Sequence, residues 1–136
     1  MKRALFTIIC IISVLCVDCR ESTAEQTIKQ IVFKEIQGNG EQVVVKLSGQ
    51  FYPQIFGLPG NDPRIVCDFT DTTADKAVAS QQDVTGKFIR RIRVGVHTAP
   101  QRKVRVVLDL VPGLDYDVRQ TFAAEENEFT VSIFQD

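Results

Sequence analysis

The sequence predicts an all-β domain, a small β-sandwich of two similar short-stranded sheets with about eight strands. Three observations carry this. Short runs rich in β-branched and aromatic residues alternate with polar positions, clusters of Gly, Pro, Asn and Asp interrupt them, and the chain beyond its first residues sustains no helical apolar period. At 136 residues there is room for one such domain, and a hydrophobic content of 44% is enough to fill its core.

Taken in order, Ile28 to Ile36 forms the first predicted strand, and Gln37-Gly38-Asn39-Gly40 supplies residues that tolerate positive φ at a hairpin turn. Gln42 to Leu47 returns as its partner. Phe51 to Phe56 is a short aromatic strand or turn, closed by the dense turn cluster Gly57 to Pro63. Arg64 to Phe69 is the next strand. Asp71 to Gly86 is polar and alanine-bearing, which predicts a surface connection with room for one short helix. Lys87 to Val96, Val104 to Leu110, Asp115 to Phe122 and Glu128 to Phe134 complete the set, separated by turn residues such as Pro112-Gly113 and Glu125-Glu126-Asn127.

Two echoes run through this pattern. Arg64-Ile65-Val66-Cys67-Asp68-Phe69 repeats as Arg105-Val106-Val107-Leu108-Asp109-Leu110, and Val43 to Leu47 is loosely similar to Val104 to Leu108. Both fit two similar half-domains packed face to face.

The N-terminal residues read differently. Lys2 and Arg3 precede an apolar run from Ala4 to Val17. That run is shorter than the roughly 20 residues of a membrane span and has the layout of a secretory signal peptide. Ser22-Thr23-Ala24 places small residues for a cut before Glu25, with Val17-Asp18-Cys19 as a second site. Residues 1–24 are therefore expected to be a signal peptide and residues 25–136 the mature domain, the alternative being an uncleaved leader that anchors the domain. Cys10, Cys16 and Cys19 belong to the leader region, where Leu15 and Asp18 are poor matches for a lipidation signal. Cys67 is left without a disulfide partner and reads as a small buried hydrophobe.

A formal net charge of −1 excludes a bulk electrostatic partner such as nucleic acid. Charge is nevertheless local. Lys87, Arg90, Arg91, Arg93, Arg102, Lys103 and Arg105 occur with no acidic residue between Asp83 and Asp109. Strand alternation puts Arg91, Arg93, Gly95 and His97 on one face, opposite Ile92, Val94 and Val96. Lys103, Arg105, Val107 and Asp109 share a face in the next strand. Antiparallel pairing through the Thr98 to Gln101 loop brings both basic faces together, with Gly95 keeping part of the surface flat. The candidate ligand-binding set is Arg91, Arg93, Gly95, His97, Lys103, Arg105 and Asp109. Arginine suits bidentate recognition of carboxylates and phosphates. The competing reading is a solvated sheet exterior whose arginines pair with Asp68, Asp109 or Asp117.

Catalysis is hard to assemble. His97 is the single histidine of the chain, and the sequence holds no glycine-rich phosphate loop after a strand and no metal-ligand spacing. No catalytic residue, metal or cofactor is assigned.

The strand Phe88-Ile89-Arg90-Arg91-Ile92-Arg93-Val94-Gly95-Val96-His97, followed after a loop by Lys103-Val104-Arg105-Val106-Val107-Leu108-Asp109-Leu110, resembles the AMIN domain. This module is the N-terminal localising part of bacterial N-acetylmuramoyl-alanine amidases and occurs in type IV pilus secretins. Arg93, Gly95, Arg105 and Asp109 match its motif. Pro63 to Phe69 is similar to its first such strand, and Tyr116-Asp117-Val118 to its closing portion. The resemblance runs from about Ile31 to Phe134. It implies a compact β-sandwich and a periplasmic location, or an inner-membrane one if the leader is retained. It also implies binding to peptidoglycan, or docking on an envelope protein assembly, without catalysis. In the amidases and secretins the module is accessory to a larger protein, so what it localises here is expected to be absent or supplied by a separate partner.

Overall fold

A computed structural model describes residues 25–136 of the chain; the expected signal peptide lies outside them. The strands are β1 (Gln26–Ile36), β2 (Gly40–Leu47), β3 (Gln54–Leu58), β4 (Arg64–Thr70), β5 (Thr72–Ala74), β6 (Gln81–Asp83), β7 (Ile89–His97), β8 (Lys103–Leu110), β9 (Tyr116–Ala123) and β10 (Glu128–Gln135). They form two five-stranded sheets, the first in the order β5-β1-β2-β10-β9 and the second in the order β3-β4-β8-β7-β6. The all-β sandwich is as expected, but it has ten strands rather than eight. The correction lies mostly in residues 71–86, where no helix forms and two short strands take its place. β5 adds to β1 in parallel, and β6 pairs with β7.

Alternation explains the layers. In β2 and β10, Val43, Val45, Phe129, Val131 and Ile133 point inward, and in β4 and β8 Ile65, Cys67, Phe69, Val104, Val106 and Leu108 meet them. Phe69 packs edge-on against both Phe51 and Phe129, at ring distances of 6.2 and 6.1 Å. Each fully buried aliphatic or aromatic side chain contributes about 1.5–3 kcal/mol. The core therefore holds the two sheets together. Cys67 is buried and free. Burial, with the negative charge of Asp68 adding to it, pushes its thiol up to about 12, so it stays protonated and inert.

The sequence echoes take an unexpected form. β4 and β8 are not in opposite halves but are antiparallel neighbours in one sheet, with Cys67 opposite Val106 at the centre of the ladder. The looser echo joins β2 and β8, which are the central strands of the two sheets.

Turn chemistry follows the sequence at the first hairpin, where Gly38 and Asn39 have φ of 92° and 72°. Glu41 does not follow it. Its side chain is buried, and its Oε1 accepts hydrogen bonds from the backbone N–H groups of Phe88 and Ile89, at 2.6 and 2.9 Å. A carboxylate of the first sheet thus caps the start of β7 in the second. Gly86 is required beside it, because a Cβ there would stand 2.7 Å from the Ile89 carbonyl oxygen and collide with the Glu41 carboxylate. Nearby, burial raises the pKa of Tyr116, with the negative charge of Glu41 adding and Arg90 opposing.

The two flanks of the sandwich are unlike. On one, residues 75–80 bridge the sheets, with Asp75 N–H bonded to the Ile28 carbonyl and Val94 N–H to that of Ser80, both at 2.8 Å. On the other, the edge strands β3 and β9 flank a hollow lined by Ile55, Gly57, Val118 and Gln120, while Tyr52, just before β3, packs on Phe122 of β9 with ring centroids 4.7 Å apart.

Candidate functional site

The outer face of the second sheet carries the charged residues. Its register sets Arg91, Arg93, Gly95 and His97 of β7 opposite Asp109, Val107, Arg105 and Lys103 of β8. On the other side of β8, Arg64, Val66, Asp68 and Thr70 of β4 face Asp109, Val107, Arg105 and Lys103. The seven sequence-predicted positions therefore do share one surface. Acids from β4 and β8 are interleaved with them, and the competing reading of arginines paired with Asp68, Asp109 and Asp117 is met in the Arg105–Asp68, Arg93–Asp109 and Arg119–Asp117 pairs.

At one end, Arg105 grips Asp68 with two parallel bonds, Nε to Oδ1 at 2.7 Å and Nη2 to Oδ2 at 2.9 Å. Lys103 Nζ adds a contact at 3.7 Å. These partners, the Arg105 hydrogen bonds first, hold the Asp68 carboxyl below its ordinary value of 3.8 against the opposing effect of burial. Arg105 also lies over the Phe56 ring, 5.9 Å from its centroid. In the middle, Val66 and Val107 point outward yet are only 2% and 9% exposed. The side chains around them therefore lie across the sheet, covering apolar surface with their stems. Gly95 and His97 are brought together, since a Cβ on Gly95 would come within 3.3 Å of His97 Nε2. The flat spot expected at Gly95 is thus bordered by the imidazole.

At the other end the balance changes. Arg93 bonds Asp109 in the same bidentate manner, Nε to Oδ2 at 2.7 Å and Nη2 to Oδ1 at 2.8 Å. Its hydrogen bonds to Asp109 raise the Arg93 pKa further. Arg91 leans 3.4 Å from Asp83, an exposed carboxylate of β6. Arg64 and Arg90 have no ion pair among the described residues. Together Asp62, Pro63, Arg64, Arg90, Arg91, Arg93 and Asp109 line a surface depression of about 260 Å³. Four guanidinium groups there face two carboxylates, leaving the hollow positive and open to an anion.

Arg90 reaches this surface through a β-bulge. The register between β7 and β8 slips between Ile89 and Arg91, so Ile89 and Ile92 both point into the core while Arg90 and Arg91 both face solvent. Strict alternation would have turned Arg90 inward. Arg64 and Arg90 are the residues the sequence-predicted set lacks. The signal for Arg90 was the spacing of Ile89 and Ile92, three apart in a strand whose period is two. The signal for Arg64 was its place in the repeat, which aligns it with Arg105.

What this arrangement can do is clamp carboxylates or phosphates. Arg93 and Arg105 are already satisfied internally, so their roles are to build the face, and the free donors stand at the Arg64 end. Among the described residues, no three His, Cys, Asp or Glu side chains cluster closely enough to hold a metal ion.

A family model for the AMIN domain matches residues 30–133. No curated protein gave a significant match to the chain.

Proposed function

The chain belongs to the AMIN domain family, and on that premise we propose that it is a non-catalytic domain that binds peptidoglycan through the arginine depression of the second sheet. AMIN domains are periplasmic localisation and binding domains. In this reading residues 1–24 export the chain and residues 25–136 work in the periplasm, at the inner membrane if the leader is kept.

One observation carries the ligand assignment: Arg64, Arg90 and Arg91 gather around Asp109, a carboxylate that Arg93 already satisfies. Peptidoglycan stem peptides present carboxylates that guanidinium groups can accept in pairs. An exposed arginine–carboxylate contact is worth only about 0.2–1 kcal/mol. Affinity for the wall then comes from several contacts at once along a repeating polymer.

Co-sedimentation of residues 25–136 with isolated sacculi tests this. The domain is expected to pellet at low salt and to be released as ionic strength rises. The combined substitution Arg64→Ser, Arg90→Ser and Arg91→Ser is expected to abolish pelleting with the fold intact, because these side chains leave the Arg93–Asp109 and Arg105–Asp68 pairs in place. Pelleting unchanged in that variant sinks the site. Failure of the parent domain to pellet at any salt moves the reading to docking on a pilus or secretion assembly.

A further inference from the structure

We propose that the free edge of β3 is a self-association site, where a second copy of this chain adds its own β3 antiparallel and joins two five-stranded sheets into one. This is independent of wall binding.

The sandwich has four sheet edges, and they are not equally guarded. β5 and β6 are three residues long, and β9 carries Asp117 and Arg119 along its length. β3, Gln54-Ile55-Phe56-Gly57-Leu58, has no charge, pairs among the described residues only with β4, and is exposed at nearly every position. Edge strands are normally protected from pairing by charge, shortness or an inward bulge. β3 has only its modest length.

The occupant follows from how the strand fits itself. Pro53 and Pro59 bracket it, and a proline lacks the N–H a ladder needs. The single antiparallel alignment that pairs all of Gln54–Leu58 with its copy is therefore centred on Phe56. It sets Phe56 against Phe56, Gln54 against Leu58, and Ile55 against Gly57. The last pairing is complementary in size. A Cβ on Gly57 would meet nothing within 4 Å, and a hollow of about 200 Å³ lined by Ile55, Phe56, Gly57, Ile65, Val118 and Gln120 opens beside it. The incoming Ile55 enters that space and covers Val118, a core-facing residue of β9 left 41% exposed on this open flank. An uncharged edge draws no charged peptide, and it does not repel a copy of itself.

Sedimentation velocity of residues 25–136 across a concentration series tests the proposal. A monomer–dimer equilibrium is expected. Phe56→Lys and Phe56→Glu, each alone, should weaken dimerisation at least about tenfold, since like charges then stand directly opposite each other. Mixing the two variants should restore a one-to-one dimer. Oxidation supplies a second readout: Phe56→Cys should cross-link between copies, and Leu58→Cys should not. A chain that stays monomeric throughout, a dimer that survives both charged substitutions, or a mixture that remains monomeric overturns the proposal. So does cross-linking by Leu58→Cys in preference to Phe56→Cys.

Discussion

Toward the Lys103 end of the second sheet, Asp68 is enclosed by Arg105 and Lys103, and no further basic residue of β4 or β8 stands at that end. Toward the Arg64 end, Asp109 is taken by Arg93, and three further arginines remain around the hollow. The residues involved come from one repeated pattern, Arg-x-x-x-Asp in β4 and again in β8, laid antiparallel. Symmetry offers two cross-strand pairs, Arg105 with Asp68 and Arg64 with Asp109, and only the first forms. The cause is position in the sheet. Asp68 lies one strand from the edge, and its other neighbour on β3 is the uncharged Gln54. Asp109 lies on the central strand, with arginines on both sides competing for it. An identical motif thus builds a structural clamp in one place and spare positive charge in the other.

The comparison breaks first at Asp68. Asp68→Ala leaves Arg105 and Lys103 facing each other beside a buried site, and it should cost about 2–3 kcal/mol in urea unfolding. Arg64→Ala should cost less than about 0.5 kcal/mol. Equal losses would mean that the two ends are alike after all. Acid titration follows from the same residue. Because the folded Asp68 pKa lies below its ordinary value of 3.8, its contribution is complete above that value and is lost as pH falls through the lower one. Asp68→Asn should therefore be less stable than the parent at neutral pH and show a shallower acid limb below about pH 4.

A smaller effect is expected at Asp109, whose side chain is more exposed than that of Asp68. Asp109→Asn should cost about 1 kcal/mol and should strengthen retention on sacculi by freeing Arg93. Weaker retention would show that the carboxylate itself contacts the ligand. The finest adjustment is Leu58→Asp, which places an acid opposite Arg64 on β3. It should change stability by only a few tenths of a kcal/mol while reducing retention, because Arg64 then has a partner of its own.

How much of this was legible depended on whether a residue's partner lay nearby in the chain. The alternation of β4, β7 and β8 could be read directly, and with it the shared face of Arg91, Arg93, Lys103 and Arg105. β5 and β6 could not, since Thr-Thr-Ala and Gln-Gln-Asp become strands only because β1 and β7 offer them a ladder. The pairing of Arg105 with Asp68 spans 37 residues, and nothing local marks it. Glu41 was hidden for the same reason: it stands at a hairpin turn, where an exposed acid is ordinary, and its burial is decided by a backbone 47 residues away.

That buried carboxylate bears on how the molecule opens. The first amides of a strand usually fray and exchange their protons with solvent through small local motions. Those of Phe88 and Ile89 are tied to Glu41 on the facing sheet, so releasing them requires the layers to part. In deuterated water these two protons should persist about as long as those of the central strands, and Glu41→Gln should shorten their lifetimes first. The beginning of β7 would then report on separation of the whole sandwich, not on the loosening of one end.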